Sequence, residues 1–365
     1  MHASLLMLWL GCSGDETPQD SEPVETTDDT GTQDTADTGE PDPCATPTVT
    51  FIRADGREKD MSDYLISGDY LTLAEEGRLE VCPGEWFTRI RVRANVQIVG
   101  LGDAPEDTLL SGGESGTILD VAGPDVTVSV SNLQLDRGAG LDPDHNSGGG
   151  GLYCAQQGAL ELSDLLFTNN YADDGAALYT EDCTVVGTNL TMRDNYSDDD
   201  GGALRLGRST GSFDGLVMSG NSSLDGGAAA FFESTVSIQN AEISNNTGTN
   251  FAAGIWSNDN ELTLTDVVFS GNVNNGSSHY GGALITRGNS TLNRVTFTSN
   301  SGPLGGALFV YVDSTTQVIN SDFSDNSPHD VYAHNGKGSN GYGGTTYTAG
   351  AAATFTCSNN TCAGL

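Results

Sequence analysis

The chain has 365 residues, 48 of them glycine, and 50 Asp+Glu against 14 Lys+Arg give a formal net charge of −36. That balance excludes nucleic-acid binding, which needs a basic face to displace counterions. Past the N-terminus no run of 18 or more apolar residues occurs, which excludes a spanning helix in the body of the chain.

Residues 1–12 read as a signal peptide. Leu5-Leu6-Met7-Leu8-Trp9-Leu10-Gly11 has the length of a signal-peptide core and ends at Cys12. Small Gly11 before the cysteine, with Leu8 and Leu10 upstream, resembles a bacterial lipobox. Such a cysteine is lipidated after cleavage and becomes the new N-terminus. The segment departs from that pattern at Trp9 and in having no Lys or Arg before the core. An ordinary signal peptide with a chance cysteine is the alternative.

Lipidation suits the cysteine count. Without Cys12 six cysteines remain, an even number suited to disulfides in an oxidising compartment. The expected pairs are Cys44–Cys82, Cys154–Cys183 and Cys357–Cys362, although spacing alone fixes no pairing. Zinc is the weaker alternative, since no C-x-x-C pair or histidine cluster accompanies these residues.

Residues 13–43 carry eleven Asp/Glu, no Lys or Arg and a single valine. Such a stretch buries too little apolar surface to offset its ordering entropy, and its charges repel. It is expected to be a disordered acidic linker, spanning at most about 100 Å at roughly 3.3 Å per residue. A tether from a membrane and a plain solubilising spacer predict the same composition.

Residues 44–99 are expected to supply an N-terminal cap and the first coil of a repeat that runs over 100–335. Val92, Val96, Ile98 and Val99 lead into Gly100-Leu101-Gly102, and Val126, Val128, Val130, Leu133 and Leu135 alternate cleanly. From residue 149 the repeat is explicit. GGGL at 149–152, GAAL at 175–178, GGAL at 201–204, GGAA at 226–229, AAGI at 252–255, and GGAL at 281–284 and 305–308 each open a coil. Each coil then carries an apolar-x-x-Asn element ending at Asn170, Asn195, Asn221, Asn246, Asn272, Asn300 or Asn326. These are 25, 26, 25, 26, 28 and 26 residues apart.

Within a coil the apolar residues alternate: Leu160, Leu162, Leu165 and Phe167 recur as Leu262, Leu264, Val267 and Phe269. Period-2 strands, about three per coil, predict an all-β, right-handed parallel β-helix: a single-stranded solenoid of about ten coils of roughly 25 residues with capping segments. Stacked asparagines are expected to pass amide hydrogen bonds along the axis and to tolerate a left-handed corner. Adjacent glycines supply another corner. Residues 336–365 are expected to close the C-terminal end.

The paired GGA[L/I] and Phe-x-x-Asn elements resemble the polymorphic outer-membrane protein repeat, a class within the pectin-lyase-like β-helix superfamily. The resemblance covers residues 149–330 in detail. It implies a surface-exposed domain associated with adhesion and the outer membrane. Exported members with a membrane β-barrel end in strands not seen before Leu365, so the lipid at Cys12 is the expected anchor. The expected location is therefore the outer membrane, after secretion across the inner membrane.

No catalytic constellation stands out. Arg205 and Arg208 follow Asp198-Asp199-Asp200 and form the nearest basic-plus-acidic cluster, but an acidic rod repels an anionic polysaccharide. Gly-His-Gly and Arg-Ile-Lys elements of the hydrolase branch are absent. Asp142-Pro143-Asp144-His145 reads as a loop. Asp174, Asp200 and Asp225 each precede a Gly/Ala cluster, and stacking places their carboxylates about 5 Å apart along one edge. Such a stack either raises its pKa values or binds an oxygen-seeking cation, so these three are the candidate calcium ligands. Side chains pointing into screened water are the plainer reading. The function expected is a non-catalytic binding, adhesion or structural module for polysaccharide or a cell-surface protein. The alternative is a polysaccharide lyase or glycoside hydrolase.

Overall fold

A computed structural model describes residues 42–45, 48–66, 70–140, 148–277, 280–311 and 314–333, and the strand Thr354–Ser358. The lipobox-like segment, almost all of the acidic linker, the Asp142–His145 loop and Cys362 lie outside these residues. The body from residue 43 onward forms one unit.

That unit is a parallel β-helix. Its first face stacks β3 (Tyr70–Leu73) on Arg89–Val92, Leu119–Ala122, Leu152–Ala155, Leu178–Glu181 and onward to Val331–Ala333. Ten such steps at roughly 4.8 Å give about 48 Å of stacked sheet. The second and third faces come from single ten-residue strands, such as Ala159–Thr168 and Thr184–Arg193, bent in the middle. The bend falls at one residue with positive φ per coil: Asp164, Asn189, Gly215, Asn240, Asp266 and Arg294. A short fourth side was not foreseen. Two-residue strands from Ala139–Gly140 to Val273–Asn274 form their own ladder between each asparagine and the next Gly/Ala cluster.

Alternation explains the interior. Residues at every second position, such as Leu160, Leu162 and Phe167, are buried, and their equivalents stack coil on coil. Phe269, Phe297 and Phe323 stack with ring centroids 4.9 Å apart. No single coil encloses this core; each buries the apolar edge of its neighbour.

The asparagine ladder runs through the corner after the third face. Each Nδ2 donates to the Oδ1 of the next asparagine, from Asn170 to Asn195, Asn221, Asn246, Asn272, Asn300 and Asn326, at 2.9–3.0 Å. The same Oδ1 accepts the backbone amide of the preceding asparagine, and the second Nδ2 hydrogen reaches a core residue's carbonyl, as Asn221 does to Met192. The amide is thereby fully used while buried. The left-handed corner sits one residue earlier than expected, at Asn169, Asp194, Gly220, Asn245, Gly271, Ser299 and Asp325. Sharing the turn this way frees each ladder asparagine to point inward.

At the N-terminal end β1 (Val49–Arg53) pairs antiparallel with β2 (Glu58–Asp60) and with β4 (Gly77–Val81). The three residues of β2 are exposed and charged, which blunts further pairing at this edge. Two disulfides are formed among the described residues, Cys44–Cys82 and Cys154–Cys183. The expected Cys357–Cys362 pair extends beyond the described residues, although the backbone of Thr354–Ser358 continues the second face on Thr315–Ile319.

Candidate functional site

The turn between the short fourth side and the first face brings acidic residues together. Asp174 and Asp200 occupy equivalent positions in successive coils: the Gly175 amide donates to the Asp200 carbonyl, and the Asp200 amide to Asp174 Oδ1 at 3.1 Å. Gly175 permits this turn. Its φ is +52°, and a Cβ there would lie 2.7 Å from the Leu178 carbonyl oxygen. The carboxylates whose oxygens lie within 4.8 Å of one another belong to Asp174, Asp199 and Asp200. Asp225 pairs with Asp200 through the backbone, but its Oδ1 accepts the Phe251 amide at 3.0 Å. Asp199 thus joins the group in the place expected for Asp225.

Burial, followed by the Asp174, Asp199 and Asp225 charges, pushes the Asp200 carboxyl up to about 7. Burial also raises Asp174 and Asp225. One cation offsets this repulsion. Arg205 lies 3.9 Å from Asp174 Oδ2 and donates to Glu181 Oε2 at 2.8 Å. Three carboxylates offer part of the six to eight oxygens that calcium takes, in competition with this guanidinium. The group therefore has two ways to relieve its charge: a proton retained on Asp200 or a bound cation.

Arg205 also belongs to a second feature, a row along the first face that is buried except at Arg205. Strand register aligns Asp120, Tyr153, Tyr179, Arg205, Ala230, Trp256, Ile285, Phe309 and Tyr332. Tyr153 and Tyr179 stack with centroids 5.3 Å apart, and the Arg205 guanidinium lies 4.7 Å from the Tyr179 ring. Further along, Phe251 stacks on Trp256 at 4.5 Å and on Tyr280 at 4.2 Å, with Tyr311 against both. Phe251, Tyr280 and Tyr311 are half-buried, leaving ring surface to solvent. On the second face the aligned outward positions are Thr184, Thr210, Thr235, Glu261 and Asn289. Aromatic residues thus gather on one side of the coil.

Several other charged groups are tied between coils. Arg208 holds Asp182 with two bonds of 3.0 Å and also contacts Glu181, while Arg294 holds Asp266 with two of 2.6 Å. Tyr171 and Tyr196 both donate to Asp198, and the Asp198 bond pushes the Tyr171 hydroxyl up to about 12. A second polar ladder escaped the sequence reading. The amides of Cys183, Ser209 and Ser234 donate to Ser209 Oγ, Ser234 Oγ and Asn260 Oδ1 in turn. Its signal was a small polar residue recurring after 25 and 26 positions.

Fold and repeat together define the class: a right-handed parallel β-helix. Residues 145–323 match the family described as the right handed beta helix region. The structure of rice weevil pectin methyl esterase is similar at 11% identity, covering 70% of this chain and 75% of that one, with a TM-score of 0.24. A likeness that weak carries no argument about activity. No curated protein matches.

Proposed function

We propose that this chain is a surface-displayed, non-catalytic β-helix that binds a polysaccharide or cell-surface protein along the outer side of its first face. The observation that carries the reading is the half-buried aromatic group of Phe251, Tyr280 and Tyr311 packed around Trp256, set beside Thr-rich outward positions on the second face. Aromatic and arginine side chains are the usual anchors of binding surfaces, because they offer large rigid contact areas at low entropy cost. The acidic linker holds the domain away from a membrane, and the lipid at Cys12 anchors it in the outer membrane. The GGAL and Phe-x-x-Asn elements support placement with surface-exposed outer-membrane repeats. Retention on immobilised glycans or cell envelopes, compared between wild type and Tyr280→Ala/Tyr311→Ala, tests this reading.

A carbohydrate-active enzyme is the second reading, favoured by one observation. Asp200 keeps a proton near neutrality beside Asp174 and Asp199, and a carboxyl–carboxylate pair is what glycoside hydrolysis requires. A polysaccharide screen for new reducing ends or unsaturated products separates the two. Turnover that disappears in Asp200→Asn establishes the enzyme.

A further inference from the structure

We infer that the Cys44–Cys82 disulfide is a mechanical staple, passing tension applied at the N-terminus directly into the body of the β-helix. The inference rests on the tether reading for its biological use, but the load path itself follows from topology. Cys44 precedes β1, and Cys82 directly follows β4, which pairs in parallel with Val96–Gly100. The bridge spans 38 positions in sequence while its two Cα atoms lie 5.6 Å apart.

Without the bridge, tension at residue 44 reaches β1 first. β1 and β4 are antiparallel, with Val49 opposite Val81 and Arg53 opposite Gly77. The loaded end of β1 and the outgoing end of β4 therefore lie side by side. Strands pulled apart from neighbouring ends break their hydrogen bonds one after another, so this cap unzips instead of shearing. The β1–β2 ladder, with three residue pairs, adds little.

With the bridge in place, tension crosses from Cys44 to Cys82 and leaves β1, β2, β3 and β4 unloaded. Cys82 is well seated to receive it. It is 2% exposed, its amide donates to the Thr48 carbonyl at 3.0 Å, and its carbonyl accepts Trp86 Nε1 at 2.9 Å. The next strand, Gly84–Phe87, pairs in parallel with Thr108–Ser111.

Single-molecule pulling between a handle at Ser13 and one at the C-terminus tests this. The oxidised protein is expected to show no extension from the 44–82 segment before the coils rupture. Cys44→Ser/Cys82→Ser is expected to add a first, lower-force step of about 90 Å, from the 26 positions between Cys44 and the start of β3 at Tyr70 at roughly 3.5 Å each. A second measurement needs no cysteine variant: moving the N-terminal handle of the oxidised protein from Ser13 to Pro83 is expected to leave the first rupture force unchanged. An early weak step in the oxidised chain, a force that depends on handle position, or a variant lacking the added step overturns the staple. None of these outcomes bears on whether Cys12 carries lipid, which fractionation reads separately.

Discussion

Asn221 and Asn246 are joined twice over: the Nδ2 and the backbone amide of Asn221 both donate to Asn246 Oδ1, at 3.0 and 2.9 Å. The same double link is repeated along the corner, so each side chain satisfies groups in the coils on both sides. Removing Asn221 takes the acceptor from the buried Asn195 backbone amide and the side-chain donor from the Met192 carbonyl, while Asn195 Nδ2 keeps the Phe167 and Arg193 carbonyls. At about 1–3 kcal/mol for each unsatisfied buried group, Asn221→Ala is expected to cost at least about 2 kcal/mol in denaturant unfolding. Asn245→Gly, which keeps the left-handed corner one position before Asn246 and leaves the ladder untouched, is expected to cost much less.

Asp200 predicts an inverted pH dependence. Burial lifts its folded pKa to about 7, well above the ordinary carboxylate range, so the native state holds the proton more tightly than the unfolded chain. The resulting stability is complete below about pH 4 and is lost as pH rises through 7. Asp174 and Asp225 are shifted in the same direction. Thermal unfolding is therefore expected to fall between pH 5 and pH 8, by on the order of 2 kcal/mol for Asp200. Asp200→Asn is expected to flatten the slope and to be the more stable protein at pH 8.

A cation at Asp174, Asp199 and Asp200 relieves the same repulsion without the proton. Millimolar calcium is then expected to restore the stability lost at pH 8 and to have little effect on Asp200→Asn. A melting temperature indifferent to both chelator and added calcium removes these residues as calcium ligands.

The proposed anchor predicts that the wild type enters the membrane fraction and is removed by protease shaving of intact cells, while Cys12→Ala is soluble. If both proteins fractionate as soluble, the lipid is wrong and the linker is a spacer.

Coil register was legible because two elements recur every 24 to 29 residues, and period-2 alternation between them can only be buried by stacking. The finer geometry was less so. Positive φ falls on Asn169, Asp194 and Gly220, residue types with nothing in common except tolerance of that conformation, so no single letter marks the corner. The Ser209–Ser234–Asn260 ladder uses different side chains for one task, which hides its periodicity. Asp199 enters the carboxylate group from the position beside Asp200, while Asp225, one coil further on, accepts the Phe251 amide and falls outside it. The row along the first face was written in the sequence as the residue after each Gly/Ala cluster (Tyr153, Tyr179, Arg205, Ala230, Trp256, Ile285, Phe309). Its meaning depended on knowing that Phe251, Tyr280 and Tyr311 pack over part of it.

The central claim is binding without turnover at the half-buried rings of Phe251, Tyr280 and Tyr311. The direct measurement is a pull-down on a panel of polysaccharides and cell envelopes, with released products read in the same tubes. Wild type is expected to be retained with no reducing or unsaturated ends released, and Tyr280→Ala/Tyr311→Ala to lose retention at least tenfold while unfolding like wild type. Product release by wild type, or full retention by the double variant, contradicts the account.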